Sequence, residues 1–297
     1  MKRLIIELGL SVLLAMMLSG CNLQPALGTE GNPVVWVLLP SHDNRRLLDD
    51  AQRLTALLQD ASGIVIKPMV ASNYKEGVQA LSTGKAHMGI LDPFGYIMAH
   101  SQKWASAALT PARWGSTSHT SQIIVSRKSG IGSIAELKGQ TFCRPDPFST
   151  SGWIIPVILM RKEGLDPGMD LVQVGDVGSH VGVIQSVYNG IYQAGATCVD
   201  ARDWLVGKLP DVKHEVLVIS ASRPIPNEVI AFSEKVPEEI QEKTIQTLLK
   251  VMNDKRNKNL IKEFYSWEGL VRTRDSFYDS LRETLSTSGV DAKEFIR

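Results

Sequence analysis

The sequence predicts an α/β protein with two lobes, each built on a doubly wound, mostly parallel sheet, and with C-terminal helices. Short apolar runs alternate with amphipathic stretches through the first two thirds of the chain, which is the pattern of parallel strands joined by helical crossovers. Two segments, near residues 116–121 and 219–226, pass between the two groups of predicted strands. We therefore expect lobe 1 at residues 33–118 and 222–297 and lobe 2 at residues 119–221, with a cleft that closes by hinge motion.

Lobe 1 begins with a βαβαβ pattern. Residues 34–40, "VVWVLLP", are almost all apolar, as in a strand that is covered on both faces. Leucines at 3.6-residue periodicity predict a helix over residues 45–63 that ends at Gly63. Further strands are expected at 64–70 and 86–93, with a helix at 74–84 between them. The ligands of such sheets bind beyond the carboxyl ends of the strands.

Lobe 2 repeats the alternation of strand and helix. Strands are expected within residues 121–130, 134–145, 169–175 and 192–201, and helices at 151–164 and 179–190. The segment 214–232 crosses back to lobe 1. From residue 236 onward the chain becomes charged and amphipathic, which predicts the C-terminal helices.

The N-terminus has the order of a secretory signal. Lys2 and Arg3 precede a short apolar run, and "LSGC" places small residues directly before Cys21, which is the form of a lipobox. We expect a signal peptide at residues 1–20, lipid on Cys21 and a polar tether at residues 21–32. The alternative is an uncleaved membrane anchor. Either way, the protein is expected in the cell envelope, in the periplasm or another extracytoplasmic compartment, anchored to a membrane.

Charge and cysteine content exclude some classes of protein. A net charge of +1 over 297 residues provides no bulk field for a polyanion, so no nucleic-acid partner is expected. Cys143 and Cys198 remain after processing, and they form either a disulfide or two small buried hydrophobic positions. No His or Cys stands at zinc-ligand spacing around them. We expect neither a metal nor a cofactor.

Three hydroxylated residues in "RPDPFSTSGWIIP" lie at a predicted helix start: Ser149, Thr150 and Ser151, hereafter the hydroxyl triplet. The N–H groups of a first helical turn lack intrahelical partners, and the macrodipole adds partial positive charge there. With three hydroxyl donors, and with Gly152 allowing a ligand close to the backbone, the stretch predicts an anion site. The alternative is a single N-cap hydroxyl with incidental neighbours. Pro156 predicts a local kink.

A second helix start, in "GDVGSHVGVIQSVYNG", places His180 in a first turn after Ser179. A histidine at this place donates to an anion through a ring nitrogen, and a surface or capping histidine is the alternative. Asp43, Asp92 and Asp200 each end or follow a predicted strand, where both cleft residues and turn-forming carboxylates are found.

Several stretches together give a resemblance to a known family. They are the lipobox, "NYKEGVQALSTGKAHMGILDPFGYIMA", "DPFSTSG", "LMRKEGLDP", "VGSHVGVIQSVYNGIYQAGAT" and "IPNEVI". In these the chain resembles, from about Pro33 to the C-terminal helices, the periplasmic phosphate-, phosphite- and phosphonate-binding components of ABC transporters. The resemblance implies a two-lobed type II periplasmic binding fold and no catalytic step. It implies a small phosphorus oxyanion (phosphonate, phosphite or phosphate) as ligand, permease and ATPase subunits as partners, and a monomer.

The resemblance also implies the residues of the site. In that family the hydroxyl triplet grips the oxyanion head, and the histidine that matches His180 assists it. A tyrosine that matches Tyr74 in "ASNYKEG" closes on the ligand from lobe 1, and Tyr96 in "FGYIMA" lies in a segment that lines the cleft.

The chain departs from the family pattern at three places. Val181 and Gln193 stand where many relatives have aspartate, and "HTS" at residues 119–121 replaces a Tyr-x-Ser pattern. An aminoalkyl phosphonate needs a carboxylate for its ammonium group, because a buried unpaired cation is costly. Asp200 is the candidate for that carboxylate. A small oxyanion or a phosphonate with an uncharged tail therefore fits the sequence better.

Two other functions compete with transport. The same lobes can serve as a sensor for a membrane receptor kinase, or bind a different small anion or metabolite. A serine hydrolase is the enzymatic alternative, but the sequence has no G-x-S-x-G elbow, no phosphate-binding P-loop and no H-E-x-x-H helix. Ser179 beside His180 does not make a triad, which is a spatial arrangement with a third, orienting group. We expect a protein that is not an enzyme.

Overall fold

A computed structural model describes residues 25–40 and 43–289. The predicted signal peptide at 1–20, the lipidated Cys21 and the first part of the tether lie outside the described residues. The described strands, β1 to β13, are Val34–Leu38, Ile66–Val70, Met88–Leu91, Ala105–Ala112, Ser118–His119, Ser121–Ser126, Thr141–Arg144, Gln173–Asp176, Ala194–Cys198, Val216–Ala221, Ile225–Pro226, Val229–Ser233 and Gly269–Arg272.

The described α-helices, α1 to α10, are Asn44–Ser62, Tyr74–Thr83, Pro93–Ser101, Ile155–Lys162, Pro167–Asp170, His180–Tyr188, Val212–Glu215, Glu238–Asn253, Lys258–Tyr265 and Asp279–Thr287. One π-helical turn, Thr150–Ile154, precedes α4, and short 3₁₀ turns join other elements. None of the helices in these described ranges is both long enough and apolar enough to cross a bilayer.

Two sheets form the two lobes. The first has six strands in the order β13-β4-β12-β3-β1-β2, and the second has five in the order β10-β6-β9-β7-β8. Each sheet is mixed: three neighbouring strands are parallel, and the remaining strands add antiparallel pairs. The α/β class and the two lobes agree with the prediction. The proposed boundaries between lobes stay a prediction, which the membership of the two sheets supports.

A small third sheet lies where the chain passes between lobes. Strands β5 and β11 are antiparallel, with Ile225 paired to His119 and Pro226 to Ser118. The side chain of Asn227 ties the two passing segments together, because it donates to the carbonyls of Pro111 and Ser116 at 2.9 and 3.1 Å. Only two residues of each segment pair.

The start of the helix after β7 differs from an ordinary α-helical turn. Ser149 is its N-cap and accepts a hydrogen bond from the N–H of Gly152 at 3.1 Å. The first turn is π-helical, and α4 follows with Pro156 in its first turn, where a missing N–H costs no intrahelical bond. The irregularity predicted from Pro156 therefore takes the form of this wider turn.

The two cysteines are free thiols, so the disulfide alternative is wrong in this structure. Cys143 is fully buried in β7, and its thiol lies 3.9 Å from the carbonyl oxygen of Val183. Cys198 ends β9. Burial raises the pKa of both thiols to about 12, which keeps them protonated and unreactive.

Candidate functional site

A cavity of about 430 Å³ lies between the two sheets. It is bounded by the ends of strands and the starts of helices from both lobes, which is where doubly wound sheets place their ligands. Its aromatic lining consists of Tyr74, Trp114, Trp204, Phe264 and Tyr265. Its polar and ionisable lining consists of Asp43, Arg46, Asp50, Asp92, Arg113, His119, Ser151, Ser179, His180, Cys198, Lys208, Glu228, Glu263 and Ser266.

The three residues of the hydroxyl triplet make different contacts and have different roles. Ser151 lines the cavity, and its carbonyl oxygen accepts from the Ser121 hydroxyl at 2.6 Å. Ser149 is fully buried and serves as the N-cap of the π-helical turn. Thr150, also fully buried, makes contacts across the lobes. The three hydroxyls are therefore not equivalent donors to one point in the cavity.

Thr150 binds the carboxylate of Asp92, which is the N-cap of α3 in the other lobe. The backbone N–H of Thr150 donates to both oxygens of Asp92 at 3.1 Å, and the Thr150 hydroxyl donates to Asp92 Oδ1. In the opposite direction, the N–H of Phe94 donates to Thr150 Oγ1 at 2.9 Å, and the same N–H donates within its own lobe to Asp92 Oδ1 at 3.1 Å. A carboxylate of the chain itself thus occupies the donors at the helix start.

The expected role of Gly152 is corrected by its surroundings. A Cβ on this residue would lie 2.3 Å from Cδ of Pro145 and 2.8 Å from Oγ of Ser149. The absent side chain makes room for Pro145 and for the N-cap. The structure therefore explains this glycine by packing within lobe 2, without a ligand.

A second contact joins the lobes next to the first. Asp146, from the turn after β7, accepts from the N–H of Tyr74, the first residue of α2, at 3.1 Å, and from the N–H of Phe148 at 2.7 Å. The rings of Phe94 and Phe148 meet edge-on with centroids 6.0 Å apart. Each lobe thus caps a helix start of the other lobe with a carboxylate.

His180 lines the cavity as a neutral hydrogen-bond donor. Its Nδ1 accepts from the N–H of Cys198 at 3.2 Å, and the hydroxyl of Thr197 lies 3.1 Å away. Because Nδ1 accepts, the proton of the neutral ring is on Nε2. Burial, with smaller effects of His119 and Arg113, lowers the pKa of His180 to about 3. The ring therefore donates without carrying a charge at neutral pH.

His119 has the opposite tautomer. Its Nδ1 lies 2.9 Å from Oδ1 of Asn227, and the amide group of Asn227 is oriented by its two donated bonds. Nδ1 of His119 is therefore the donor, and Nε2 is left as an acceptor. Burial lowers the pKa of His119. The cavity is thus lined by one histidine of each tautomer, one able to donate and one able to accept.

Tyr74 lines the cavity, whereas Tyr96 and Asp200 do not. Burial raises the pKa of Tyr74 well above its ordinary value, so its hydroxyl stays protonated. Tyr96 is fully buried beside Tyr278, and its hydroxyl donates to Asp275 at 2.9 Å. Asp200 is bound by the guanidinium of Arg202 at 2.8 and 2.9 Å.

A largely buried ion pair, which nothing in the sequence indicates, forms one wall of the cavity. Arg113 donates to both oxygens of Glu228, with its Nη1 2.6 Å from Oε2, and its Nε donates to the carbonyl of Tyr265 at 3.1 Å. The indole of Trp267 also donates to Glu228, at 2.9 Å. The pair holds the pKa of Glu228 below its usual value despite burial. Because both charges are satisfied, this wall is polar but nearly neutral.

The carboxylates that line the cavity are not at positions 181 and 193, where the family pattern has aspartate. Val181 lines the cavity, but Gln193 lies beyond the opposite end of β9, where its side chain accepts from the N–H of Thr141 at 3.0 Å. Asp50, 5% exposed, lines the cavity from α1 and is paired with Arg53 at 3.2 Å. No group of acidic, His and Cys side chains suited to a metal ion occurs among the described residues.

The sequence carried a signal for Asp92 but none for the Arg113–Glu228 pair. Asp92 follows a predicted strand, which marks it as one of three candidate positions. Arg113 and Glu228 are 115 residues apart, and nothing in their local sequence indicates that they meet.

Comparisons with known proteins agree with the fold. The family model described as "ABC transporter, phosphonate, periplasmic substrate-binding protein" matches residues 36–278. The phosphate-import protein PhnD of Mycolicibacterium smegmatis is 23% identical over a 314-residue alignment that covers 93% of each chain.

Two solved structures share the fold. One is a binding protein component of an ABC phosphonate transporter from Pseudomonas aeruginosa, with a TM-score of 0.78, 19% identity and 86% of each chain covered. The other is PhnD1 of Prochlorococcus marinus in complex with methylphosphonate, with a TM-score of 0.76, 15% identity, and 87% of this chain and 98% of that chain covered.

The match to the family model shows to which class this protein belongs. Members are extracytoplasmic components of importers that bind a small ligand and act with permease and ATPase subunits, and they are not enzymes. This agrees with the absence of catalytic motifs noted in the sequence. The chain belongs to the family of periplasmic substrate-binding proteins of phosphonate ABC transporters.

Proposed function

We propose that this protein is a lipid-anchored substrate-binding component that captures a small phosphorus oxyanion (a phosphonate, phosphite or phosphate) in the cavity between its lobes. The observation that carries the proposal is the convergence of Ser151 and His180 from lobe 2 and Tyr74 from lobe 1 on one cavity of about 430 Å³. These are three of the residues expected to bind the ligand.

The chemistry of the lining suits an oxyanion. His180 donates through Nε2, and Tyr74 keeps its hydroxyl proton, so neutral donors from both lobes can meet one anion. Charge-neutral donors in a partly dry cavity bind oxyanions strongly without a paired cation. His119 adds an acceptor, which fits an oxyanion that still carries a proton, as hydrogen phosphate does.

The names of the relatives support the ligand class. The M. smegmatis relative is a phosphate-import protein, and the P. marinus structure holds methylphosphonate. Lipidation at Cys21 is proposed from the lipobox alone. Capture in the cavity followed by delivery to a permease would complete the role.

The test is calorimetric titration of the purified protein, unfolded and refolded beforehand to remove carried ligand. The probes are inorganic phosphate, phosphite, methylphosphonate, 2-aminoethylphosphonate and sulfate. One phosphorus ligand should bind, and a Ser151→Ala/His180→Ala double variant should bind it at least tenfold more weakly, because two donors are lost at about 1 kcal/mol or more each.

Tyr96→Phe is the matched control, because it removes a hydroxyl that lies away from the cavity. Its affinity should equal that of the unaltered protein. Absence of heat with all five probes, from a protein whose circular dichroism shows it folded, would exclude a phosphorus oxyanion as the ligand.

A further inference from the structure

The donors at the start of the π-helical turn already hold an anion in this structure. That anion is the carboxylate of Asp92, which receives the backbone N–H and the hydroxyl of Thr150. An N–H group and a hydroxyl each have one proton to donate. An oxyanion oxygen therefore receives these two hydrogen bonds at full strength only where Asp92 gives them up.

The charges around Asp92 disfavour a second anion beside it. Asp146, which is not a cation, exerts the largest Coulombic effect on Asp92, and Asp92 in turn acts on Tyr74. Burial and, less strongly, the Coulombic effect of Asp146 raise the pKa of Asp92 to about 7, although Thr150 and Phe94 donate to it. A ligand anion that enters beside Asp92 meets a like charge in a medium where such repulsion is weakly screened.

We propose that Asp92 is a specificity-determining residue, which holds the Thr150 donors and penalises anions, doubly charged ones most, that must displace it. This inference rests on the proposed oxyanion function and deepens it. Repulsion between charges scales with their product, so a dianion is penalised about twice as strongly as a monoanion of the same shape. The favoured ligand is therefore an oxyanion that carries a single charge, or one with further contacts elsewhere in the cavity.

The contact with Asp146 provides an internal control. Asp146 also joins the lobes, through the N–H of Tyr74, but it does not line the cavity and leaves the Thr150 donors untouched. If Asp92 only held the lobes together, the two residues would behave alike. If Asp92 competes with the ligand, only its removal frees donors.

The experiment measures binding of methylphosphonate, a dianion at pH 8.5, and of methanesulfonate, a monoanion of the same shape, by calorimetry on the full chain in detergent. The variants are Asp92→Asn, Asp92→Ser and Asp146→Asn. Asn and Ser both cap helices well, so the side-chain oxygen of either can still accept a hydrogen bond from the N–H of Phe94. Two substitutions at one position guard against a failure of either variant to fold.

We expect both Asp92 variants to bind methylphosphonate about tenfold or more tightly than the unaltered protein, because both remove the negative charge that competes for the Thr150 donors. The gain in affinity of the Asp92 variants for methanesulfonate should be smaller. Asp146→Asn should bind both anions with the affinity of the unaltered protein. If the unaltered protein gives no binding signal but an Asp92 variant binds methylphosphonate, that result also supports the inference.

Two outcomes overturn the inference in distinguishable ways. If the unaltered protein binds methylphosphonate and the Asp92 variants bind it equally or more weakly, Asp92 is a ligand contact or a bystander, and the inference fails alone. If neither the unaltered protein nor a folded Asp92 variant binds any of the five oxyanion probes, the proposed function fails and the inference fails with it.

Discussion

The two histidines of the cavity show how much of the chemistry is set by single hydrogen bonds. His180 accepts at Nδ1 and His119 donates at Nδ1, so the same side chain presents a donor in one place and an acceptor in the other. Neither assignment depends on local sequence. Each depends on a partner, Cys198 or Asn227, that is 18 or 108 residues away.

The lowered pKa of His180 leads to a prediction for stability. In the unfolded chain a histidine takes up a proton near pH 6.5, whereas the folded ring does so near pH 3. Between these values the unfolded state binds more protons, so the free energy of unfolding falls as the pH falls. In His180→Gln the free energy of unfolding should therefore fall less steeply between pH 6 and pH 4. The difference in slope is up to about 1.4 kcal/mol per pH unit, the contribution of one proton.

Urea denaturation at pH 7, 6, 5 and 4 measures this slope. His214→Gln is the control, because the His214 side chain is 67% exposed. Equal pH dependence in the unaltered protein and in His180→Gln would contradict the neutral state of His180.

At the level of elements, the turn Thr150–Ile154 connects packing with the candidate site. Its wider π-helical geometry lets Ser149 cap the helix while Thr150 faces the other lobe. Gly152 makes this geometry possible, because Pro145 packs where a side chain would be. Small changes at the turn therefore move the Thr150 donors.

Gly152→Ala tests this dependence. The added methyl group would lie 2.3 Å from Cδ of Pro145, so the turn must shift, at a cost of about 1–3 kcal/mol in the free energy of unfolding. Gly207→Ala is matched, because nothing lies within 4 Å of its Cβ position. Chemical denaturation of both variants should show a loss for Gly152→Ala alone, and equal stability of the two would show that the turn absorbs the methyl group.

At the level of the whole molecule, the lobes meet through contacts in which each caps a helix of the other. Asp92 reaches Thr150 and Asp146 reaches Tyr74, while the small sheet of β5 and β11 joins the lobes at the crossing segments. The cavity of about 430 Å³ remains open beside these contacts. The lobes are thus in contact while room for a ligand persists.

The membrane attachment of the whole molecule is tested at Cys21. Intact-mass spectrometry of the full chain, expressed in a bacterium and extracted with detergent, should show the loss of residues 1–20 and a lipid adduct on the new N-terminus. Cys21→Ser should keep the precursor mass, since the lipobox cysteine is absent. An unmodified N-terminus in the unaltered protein would contradict lipidation and favour the uncleaved anchor.

The sequence by itself determined the alternation of strands and helices, the two-lobed α/β class and the family. These follow from hydrophobic periodicity and from local motifs, which act over a few residues. It also marked Ser151, Tyr74 and His180, which the structure brings to one cavity. It misjudged Gly152, because a glycine required by packing and one required by a ligand look alike in sequence.

Only the tertiary structure decided what each marked residue does. Tyr96 turned toward Asp275, Asp200 toward Arg202, and Thr150 toward Asp92, because a polar side chain in a low-dielectric interior must find a partner wherever the fold provides one. Tyr96 and Thr150 find partners 179 and 58 residues away, whereas the partner of Asp200 is only two residues away. Contacts between distant segments leave no local pattern, and for that reason the hydrogen bonds of the site are a property of the folded molecule.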